Sequence, residues 1–255
     1  MYKTTEITSA EIASDNPVHQ RLLFPYVEAA KIVRGKVLEI GCGWGRGLEL
    51  LTKAADHYTG IDKNEELIQS LRQEYPQSTF IQANIPPLSG LADNSFDYIV
   101  TFQVIEHIQN DELFVKEAFR VLKPGGTLLL TTVNRLFSLT RNPWHVREYT
   151  ADELKNLMLQ YFPKVDTQGI HGNGKVMTYY EQNKKSVEKI TRYDVLNLQH
   201  RLPRWMLQVP YDLLNRLNRN KLLEQDGLAA EIQYTDYVLT NTPAGSLDFF
   251  YLAQK

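Results

Sequence analysis

Cysteine is almost absent from this sequence, which has one, Cys42, among 255 residues. A single cysteine excludes an intramolecular disulfide and any zinc site built from several thiolates, and the sequence predicts no other metal site. No residue close to Cys42 in the sequence supplies a base, so we interpret it as a small packing residue rather than a nucleophile.

Long hydrophobic runs and an excess of positive charge are also missing. Nowhere does the chain reach the roughly 18 consecutive apolar residues of a membrane-spanning helix, and residues 1–15 lack the apolar segment of a signal peptide. We therefore expect a cytoplasmic location. The net charge of -2 and the pI of about 6.3 provide no general attraction for polyanions, so nucleic acid is not a favoured partner.

The most informative segment that is present covers residues 37–51, VLEIGCGWGRGLELL. An apolar run ends at Glu39 and Ile40, glycines follow at every second position, and leucines then recur with helical spacing. Glycine permits positive φ and close approach of a ligand to the backbone, and the free N–H groups at a helix start face an anionic group. The segment predicts a strand, a loop that binds a nucleoside-type ligand, and a helix.

The glycine spacing distinguishes two ligand classes. A dinucleotide fingerprint requires G-x-G-x-x-G, but in that register Arg46 replaces the third glycine, where helix and strand must pack closely. NAD and FAD are therefore less favoured. With Glu39 in front, the string resembles the E-x-G-x-G-x-G motif of the class I S-adenosylmethionine-dependent methyltransferases, particularly those of type 11.

Three later segments extend this resemblance over about half of the chain. They are YTGID at 58–62, which resembles the second strand of that family, FDYIVTFQVIEHI at 96–108, which resembles the fourth strand and its loop, and LKPGGTLLLTT at 122–132, which resembles the entry into the fifth strand. The resemblance implies S-adenosyl-L-methionine as cofactor and methyl transfer as the reaction.

The resemblance also implies which residues hold the cofactor. Asp62, beside Lys63, occupies the position that binds the ribose hydroxyls, and Gln103 is placed to hold the methionyl amine, although a plain loop role is the alternative. Many relatives carry an acid near the adenine amine where this chain has Asn84 and Ile85; the Asn84 amide oxygen can accept the same hydrogen bond, or Asn84 is a turn residue. The predicted cofactor set is Glu39, Gly41, Cys42, Gly43, Gly45, Asp62, Lys63, Asn84, Ile85 and Gln103.

Helical and strand patterns alternate along the chain and predict an α/β fold with a doubly wound, mostly parallel sheet of seven strands. Helices are expected at 45–54, 64–74, 111–121 and 152–161, the last with a capping box of Thr150 and Glu153. The resemblance implies that the final strand, at 247–253, inserts antiparallel between strands five and six. The predicted organisation is an N-terminal helical cap at 1–34, a cofactor-binding core at 35–171, a helical insertion at 172–245 and a final core strand at 246–255.

The insertion is the second informative region. Residues 184–222 contain nine Lys and Arg against three Asp and Glu, so the rest of the chain carries a net charge of -8. Trp205, Val209, Leu213 and Leu217 recur every four residues, which predicts a basic amphipathic helix interrupted at Pro210. Its apolar stripe indicates a lid over the acceptor cleft, a homodimer interface, or contact of residues 202–222 with the inner face of a membrane.

The cofactor determines most of the chemistry. The sulfonium methyl group is already activated, so the enzyme must mainly align the acceptor atom and exclude water. An acceptor hydroxyl must also lose its proton, for which histidine is the usual base. His145, in the segment NPWHVREYT after strand five, and His107, after strand four, are the catalytic candidates, with loop ordering as the alternative role for each.

These observations predict methyl transfer, most favourably to oxygen, on a small-molecule or lipid- or glycan-linked acceptor. Two other functions remain open at this point. One is a nicotinamide-dependent oxidoreductase with a similar sheet, and the other is a catalytically inactive nucleoside-binding protein. The identity of the acceptor is set by loops and insertions, and the fold itself supports many reactions.

Overall fold

The computed structural model describes residues 12–194 and 197–255, and its centre is an eight-stranded sheet. Residues 1–11 of the predicted cap and residues 195 and 196 of the predicted insertion lie outside the described residues. The strands are β1 (Lys36–Ile40), β2 (His57–Asp62), β3 (Thr79–Gln82), β4 (Phe96–Phe102), β5 (Leu122–Val133), β6 (Lys164–Gly172), β7 (Tyr237–Thr240) and β8 (Asp248–Gln254). The helices are α1 (Asn16–Ile32), α2 (Leu48–Ala54), α3 (Glu65–Glu74), α4 (Asp111–Val121), α5 (Ala151–Met158), α6 (Gly174–Thr191), α7 (Leu198–Arg201), α8 (Arg204–Asp226) and α9 (Leu228–Glu231).

The strand order is β3-β2-β1-β4-β5-β8-β6-β7. The first five strands pair in parallel, whereas β8 is antiparallel to both of its neighbours, β5 and β6. The predicted doubly wound, mostly parallel sheet is therefore confirmed, together with the insertion of the last strand between strands five and six. The predicted count of seven strands was wrong by one, because residues 237–240 of the insertion pair antiparallel with the end of β6.

Helices cover both faces of the sheet, which explains why β1, β4 and β5 are apolar on both sides. One face packs against α1, α2, α3, α6 and α8, and its core includes Phe24, Leu48, Leu71, Val176 and Leu222. The other face packs against α4 and α5, through Phe114, Ala118, Leu154 and Met158. Strands β1 and β4 are adjacent, but the chain leaves them toward opposite faces of the sheet. A crevice therefore forms at the carboxyl ends of these two strands.

Most predicted helix boundaries hold, with exceptions at the start of α2 and the end of α5. Asn64 caps α3 by accepting a hydrogen bond from the Leu67 N–H at 3.2 Å, and the predicted capping box of Thr150 and Glu153 is present at α5. Helix α2 begins at Leu48 instead of 45, because Gly45 has a φ of +88° and cannot belong to a right-handed helix. Helix α5 ends at Met158, three residues before the predicted end.

The amphipathic helix of the insertion is continuous. Proline removes one backbone donor and usually ends or bends a helix, and the sequence predicted an interruption at Pro210. That prediction was wrong, since α8 runs from Arg204 through Pro210 to Asp226. None of the helices among the described residues combines the length and the apolar character needed to cross a membrane.

Candidate active site

The loop between β1 and α2 runs along the carboxyl edge of the sheet. Gly41, Gly43 and Gly45 all have positive φ, at +80°, +53° and +88°. The N–H groups of Gly41 and Cys42 both donate to the Ile61 carbonyl, at 2.8 and 3.1 Å, which fixes the loop against the end of β2. A Cβ atom added at Gly43 would meet no protein atom within 4 Å, so the backbone at this point borders open space.

Asp62 joins the end of β2 to this glycine loop. One carboxylate oxygen accepts the Gly43 N–H at 2.9 Å, and the other accepts the Asn64 N–H at 2.9 Å. The residue is 7% exposed, and each carboxylate oxygen has a second lone pair beyond these backbone bonds. Asp62 therefore lies within one hydrogen bond of the loop with which it was predicted to share a ligand. Lys63, the next residue, is exposed.

Glu39 is held inside the protein. Its two carboxylate oxygens accept the hydroxyl groups of Tyr26, at 2.6 Å, and of Tyr58. Burial raises the pKa of Glu39, and the two hydroxyl groups oppose this rise. The contacts of this carboxylate are therefore with α1 and β2, and its connection to the loop is through the backbone of β1. The two tyrosines carried no sequence signal that identified them as its partners.

Helix α1 packs directly on the glycine loop. A Cβ atom at Gly47 would lie 1.9 Å from the Tyr26 ring, so Gly47 is the position that requires glycine for close packing. Arg46, the residue that argued against a dinucleotide site, contacts His19 of α1 and lies 5.1 Å from the centre of the Trp44 ring. The loop is thus supported from the outside by α1.

The remaining predicted cofactor residues lie at the ends of neighbouring strands. Asn84 is exposed and Ile85 half-buried, both just after β3. Gln103 follows β4 with a φ of +56°, and its amide lies 3.3 Å from the Asp248 carboxylate and 3.4 Å from the Thr131 hydroxyl. Cys42 is buried, and burial raises the pKa of its thiol well above the ordinary value.

A partly buried ion pair beside Gln103 was not predicted. Arg21 of α1 forms a two-point contact with the carboxylate of Asp248, at the start of β8, and also donates to the Leu247 carbonyl at 2.9 Å. Asp248 is 1% exposed. The two residues are 227 positions apart, and because Asp248 stands at the edge of an ordinary strand pattern, no local signal connects them.

The two predicted catalytic histidines meet in space. The rings of His107 and His145 are 5.0 Å apart and nearly perpendicular. His107 Nδ1 lies 3.0 Å from the Trp144 carbonyl oxygen, to which it donates. His145 Nδ1 lies 2.6 Å from Glu148, to which it donates, and its Nε2 lies 3.0 Å from the Asn142 amide nitrogen, from which it accepts. These partners assign the lone pair of each neutral ring to Nε2.

Two carboxylates accompany this histidine pair. Glu106 is 1% exposed and accepts the Thr132 hydroxyl at 3.0 Å; burial raises its pKa, and the nearby imidazoles oppose that rise. Burial also acts to raise the pKa of Glu148, but hydrogen bonds from His145 and Ser138 outweigh it and lower that pKa below its usual range. Arg147, by contrast, forms its ion pair with Asp111 and not with either of these two carboxylates.

His145 also lines two adjoining cavities. One, of about 220 Å³, lies between the end of β5 and helices α1, α6 and α8, and Tyr179, Tyr180, Tyr211 and Asn215 contribute to its wall. The other, of about 510 Å³, is rich in arginine and is lined by Arg135, Arg141, Arg147 and Arg204 among others. The two cavities are neighbours, because both are bordered by residues 138–140, Asn142, His145 and Glu148.

Helix α8 is amphipathic, but unlike most surface helices it turns its polar side toward the protein and its apolar side toward solvent. Its polar side faces inward, where Asn215, Asn218 and Arg219 line the smaller cavity and Arg216 and Arg219 pair with the buried Asp15. Its apolar stripe faces outward: Trp205, Val209, Leu213 and Leu217 are 71%, 77%, 59% and 57% exposed. The helix therefore covers a cavity with its polar side and leaves large apolar side chains in contact with solvent.

Comparison with known proteins gives consistent matches. A family described as "Methyltransferase domain" matches residues 38–130, which include the glycine loop, Asp62 and His107. A "Probable S-adenosylmethionine-dependent methyltransferase" of Mycolicibacterium smegmatis is 40% identical over 179 residues, covering 67% of this chain and 69% of that protein.

A second relative is the "Ubiquinone biosynthesis O-methyltransferase" of Coxiella burnetii, which is 32% identical over 126 residues, or 48% of this chain and 52% of that protein. The match thus spans about half the length of this relative. Among solved structures, a Thermotoga maritima protein described as a "SAM-dependent methyltransferase, possible histamine N-methyltransferase" aligns with a TM-score of 0.57 at 17% identity, covering 93% of this chain and 91% of that one. At this identity the likeness concerns the fold alone.

Proposed function

The chain belongs to the class I S-adenosylmethionine-dependent methyltransferases, and from this premise we propose that it methylates a hydroxyl oxygen of an acceptor held at a membrane surface. Membership in this family decides against the nicotinamide-dependent alternative. The observation that carries the proposal is the arrangement of α8, which covers a cavity with its polar side and exposes an apolar stripe on the other.

The cofactor occupies the crevice beside the glycine loop in this proposal. The open space next to Gly43 accepts the ligand, and the second lone pairs of Asp62 accept the ribose hydroxyls. The backbone from Glu39 to Gly45 and the amide of Gln103 hold the methionyl group. Lys63, Asn84 and Ile85 lie after β2 and β3, near the ribose and the adenine.

The acceptor occupies the smaller cavity under α8. Tyrosine hydroxyl groups and asparagine amides both donate and accept hydrogen bonds, which suits a hydroxylated acceptor such as a sugar or a phenol. His145 borders this cavity, and the His107 ring contacts the His145 ring. We therefore place the acceptor oxygen beside His145. Methylation at oxygen also agrees with the O-methyltransferase name of the Coxiella relative.

The membrane part of the proposal depends on the stripe of α8. Four large apolar side chains spaced by four residues stand in solvent on a segment whose net charge is +6. An amphipathic helix of this composition binds the interface of an anionic membrane through apolar insertion and electrostatic attraction. Arg204, in the first turn of α8, lines the larger cavity, so a docked helix would bring the cavity mouth to the lipid headgroups.

The reaction is tested by incubating the protein with cofactor carrying a tritiated methyl group and fractionated cell extract. We expect label in the lipid fraction, and mass spectrometry of the product should locate the methyl group on oxygen. Label confined to water-soluble small molecules would contradict the membrane acceptor. Binding of S-adenosylhomocysteine without methyl transfer to any fraction would support the inactive-protein alternative.

The docking surface is tested by co-sedimentation with vesicles of phosphatidylcholine and phosphatidylglycerol at low and high salt. We expect binding that weakens with salt and is lost in Trp205→Asp and Val209→Asp. Leu159→Asp is the matched control, because Leu159 is 44% exposed but lies beside α5 on the opposite face of the sheet. If the stripe variants instead convert a dimer to a monomer in sedimentation velocity and leave vesicle binding unchanged, the stripe is a homodimer interface.

A further inference from the structure

Among the residues that the structure describes, Glu106, His107 and His145 form a group that could hold a metal ion. One potential ligand atom from each residue lies within 4.8 Å of the other two. Two imidazoles and a carboxylate that leave coordination positions open form a common donor set for divalent first-row metals. We propose that these three residues bind a divalent first-row cation such as Mn²⁺, Co²⁺ or Zn²⁺.

The hydrogen bonds around the cluster support this proposal more strongly than the donor types do. A histidine that ligates a metal through one ring nitrogen usually donates its other N–H to a carbonyl or a carboxylate, which fixes the ring and the tautomer. His107 donates from Nδ1 to the Trp144 carbonyl, and His145 donates from Nδ1 to the Glu148 carboxylate. Both rings therefore keep the lone pair on Nε2, the atom that would bind the cation.

The adjustment that a cation requires is small. Bonds of about 2.1 Å place two ligand atoms at most about 4.2 Å apart, so ligand atoms that now lie within 4.8 Å of one another must approach by at most about 0.6 Å. The Asn142 amide, now 3.0 Å from His145 Nε2, must rotate aside and give up the hydrogen bond that it accepts from the Trp144 N–H at 3.0 Å. Glu106 is already buried, and its Thr132 partner leaves further lone pairs on the carboxylate.

The cluster is also well placed for catalysis. A Cβ atom at Gly41 would lie 2.5 Å from Val104, so the segment after β4 touches the glycine loop two residues before Glu106. His145 borders the acceptor cavity on the other side. The cluster therefore lies between the proposed cofactor and acceptor positions.

The catalytic role of the cation rests on the proposed function. A cation that binds the acceptor hydroxyl lowers its pKa, so the proton leaves to water before the oxygen attacks the methyl group. The oxygen–methyl bond then forms as the sulfur–methyl bond breaks, and the bonding pair stays on sulfur. In this arrangement His145 and His107 act as ligands instead of as the general base.

Cation binding is tested on the full chain after treatment with a chelator and desalting, without cofactor or acceptor. Cobalt(II) is the probe, because its visible absorption reports the coordination of the ion, and calorimetry with Mn²⁺ gives the stoichiometry. We expect one equivalent bound. His107→Ala and His145→Ala should each weaken binding about 100-fold or more, and Glu148→Gln, which removes only the support of His145, about 10- to 100-fold.

His57→Gln is the control, since His57 is exposed at the start of β2 and should bind cobalt as the wild type does. Thermal unfolding of each variant separates loss of the site from loss of the fold. Absence of cobalt binding by the wild type at 1 mM, or equal affinity in the three variants, would overturn the proposal.

Two further measurements keep this proposal separate from the proposed function. Calorimetry with S-adenosylhomocysteine tests the cofactor site whether or not a cation binds. Methyl transfer measured with and without chelator tests the role of the cation, and we expect a loss of at least about tenfold on chelation. Full activity in the presence of chelator would remove the cation from the reaction and leave the methyltransferase assignment intact.

Discussion

Replacing Gly43 with alanine tests the cofactor position most directly. The new Cβ would meet no protein atom within 4 Å, so it would not collide with the protein and would enter the space that the proposed cofactor fills. Alanine at a φ of +53° costs about 1–2 kcal/mol of folding free energy through backbone strain. Gly41 is a less suitable target, because a Cβ there would lie 2.5 Å from Val104 and would disturb the protein itself.

The effect on affinity follows from overpacking. A methyl group forced into an occupied, well-packed site costs about 1–3 kcal/mol, which corresponds to a dissociation constant for S-adenosylhomocysteine about 5- to 150-fold weaker. Isothermal titration calorimetry measures this constant, and urea unfolding measures the stability of the same sample. The expected result is a large loss of affinity with a modest loss of stability.

Gly90→Ala provides the matched control. Gly90 has a φ of +81° and also has no protein atom within 4 Å of an added Cβ, but it lies in the loop between β3 and β4. We expect a similar loss of stability and an unchanged affinity. If Gly43→Ala binds as tightly as the wild type, or if Gly90→Ala weakens binding equally, the cofactor does not rest on the backbone at Gly43.

Three further predictions concern the residues that support the site. Tyr26→Phe should lower the free energy of unfolding by about 1–3 kcal/mol, because the buried Glu39 carboxylate loses a hydroxyl donor. An unchanged urea midpoint would contradict this contact. Arg21→Met should cost about 3 kcal/mol by leaving Asp248 buried without its partner, whereas Lys53→Met, at an exposed pair with Glu49, should not change the urea midpoint measurably. Hydrogen bonds hold the pKa of Glu148 below its value in the unfolded chain, so the residue stabilises the fold above about pH 4.3, and this contribution is lost as the pH falls through the folded pKa. Glu148→Gln should therefore make the free energy of unfolding less dependent on pH in that range. An unchanged dependence on pH would refute the lowered pKa of Glu148.

The sequence alone determined most of the fold and the shape of the glycine loop, for physical reasons that are local. Glycines that need positive φ, apolar runs with strand or helix period, and caps such as Asn64 and Thr150 each act within a few residues. The order of these elements limits a βα chain to few topologies. The insertion of β8 between β5 and β6 was implied by the resemblance to the methyltransferase family.

Only the tertiary structure decided which distant side chains share a site. The pairing of Arg21 with Asp248, the enclosure of Glu39 by Tyr26 and Tyr58, and the meeting of His107 with His145 all join residues from different elements. The tertiary structure also decided that the apolar stripe of α8 faces outward. Periodicity identifies the apolar side of a helix, but which side faces the protein depends on the partners that its polar side finds, here Asp15, Asn183 and the cavity below.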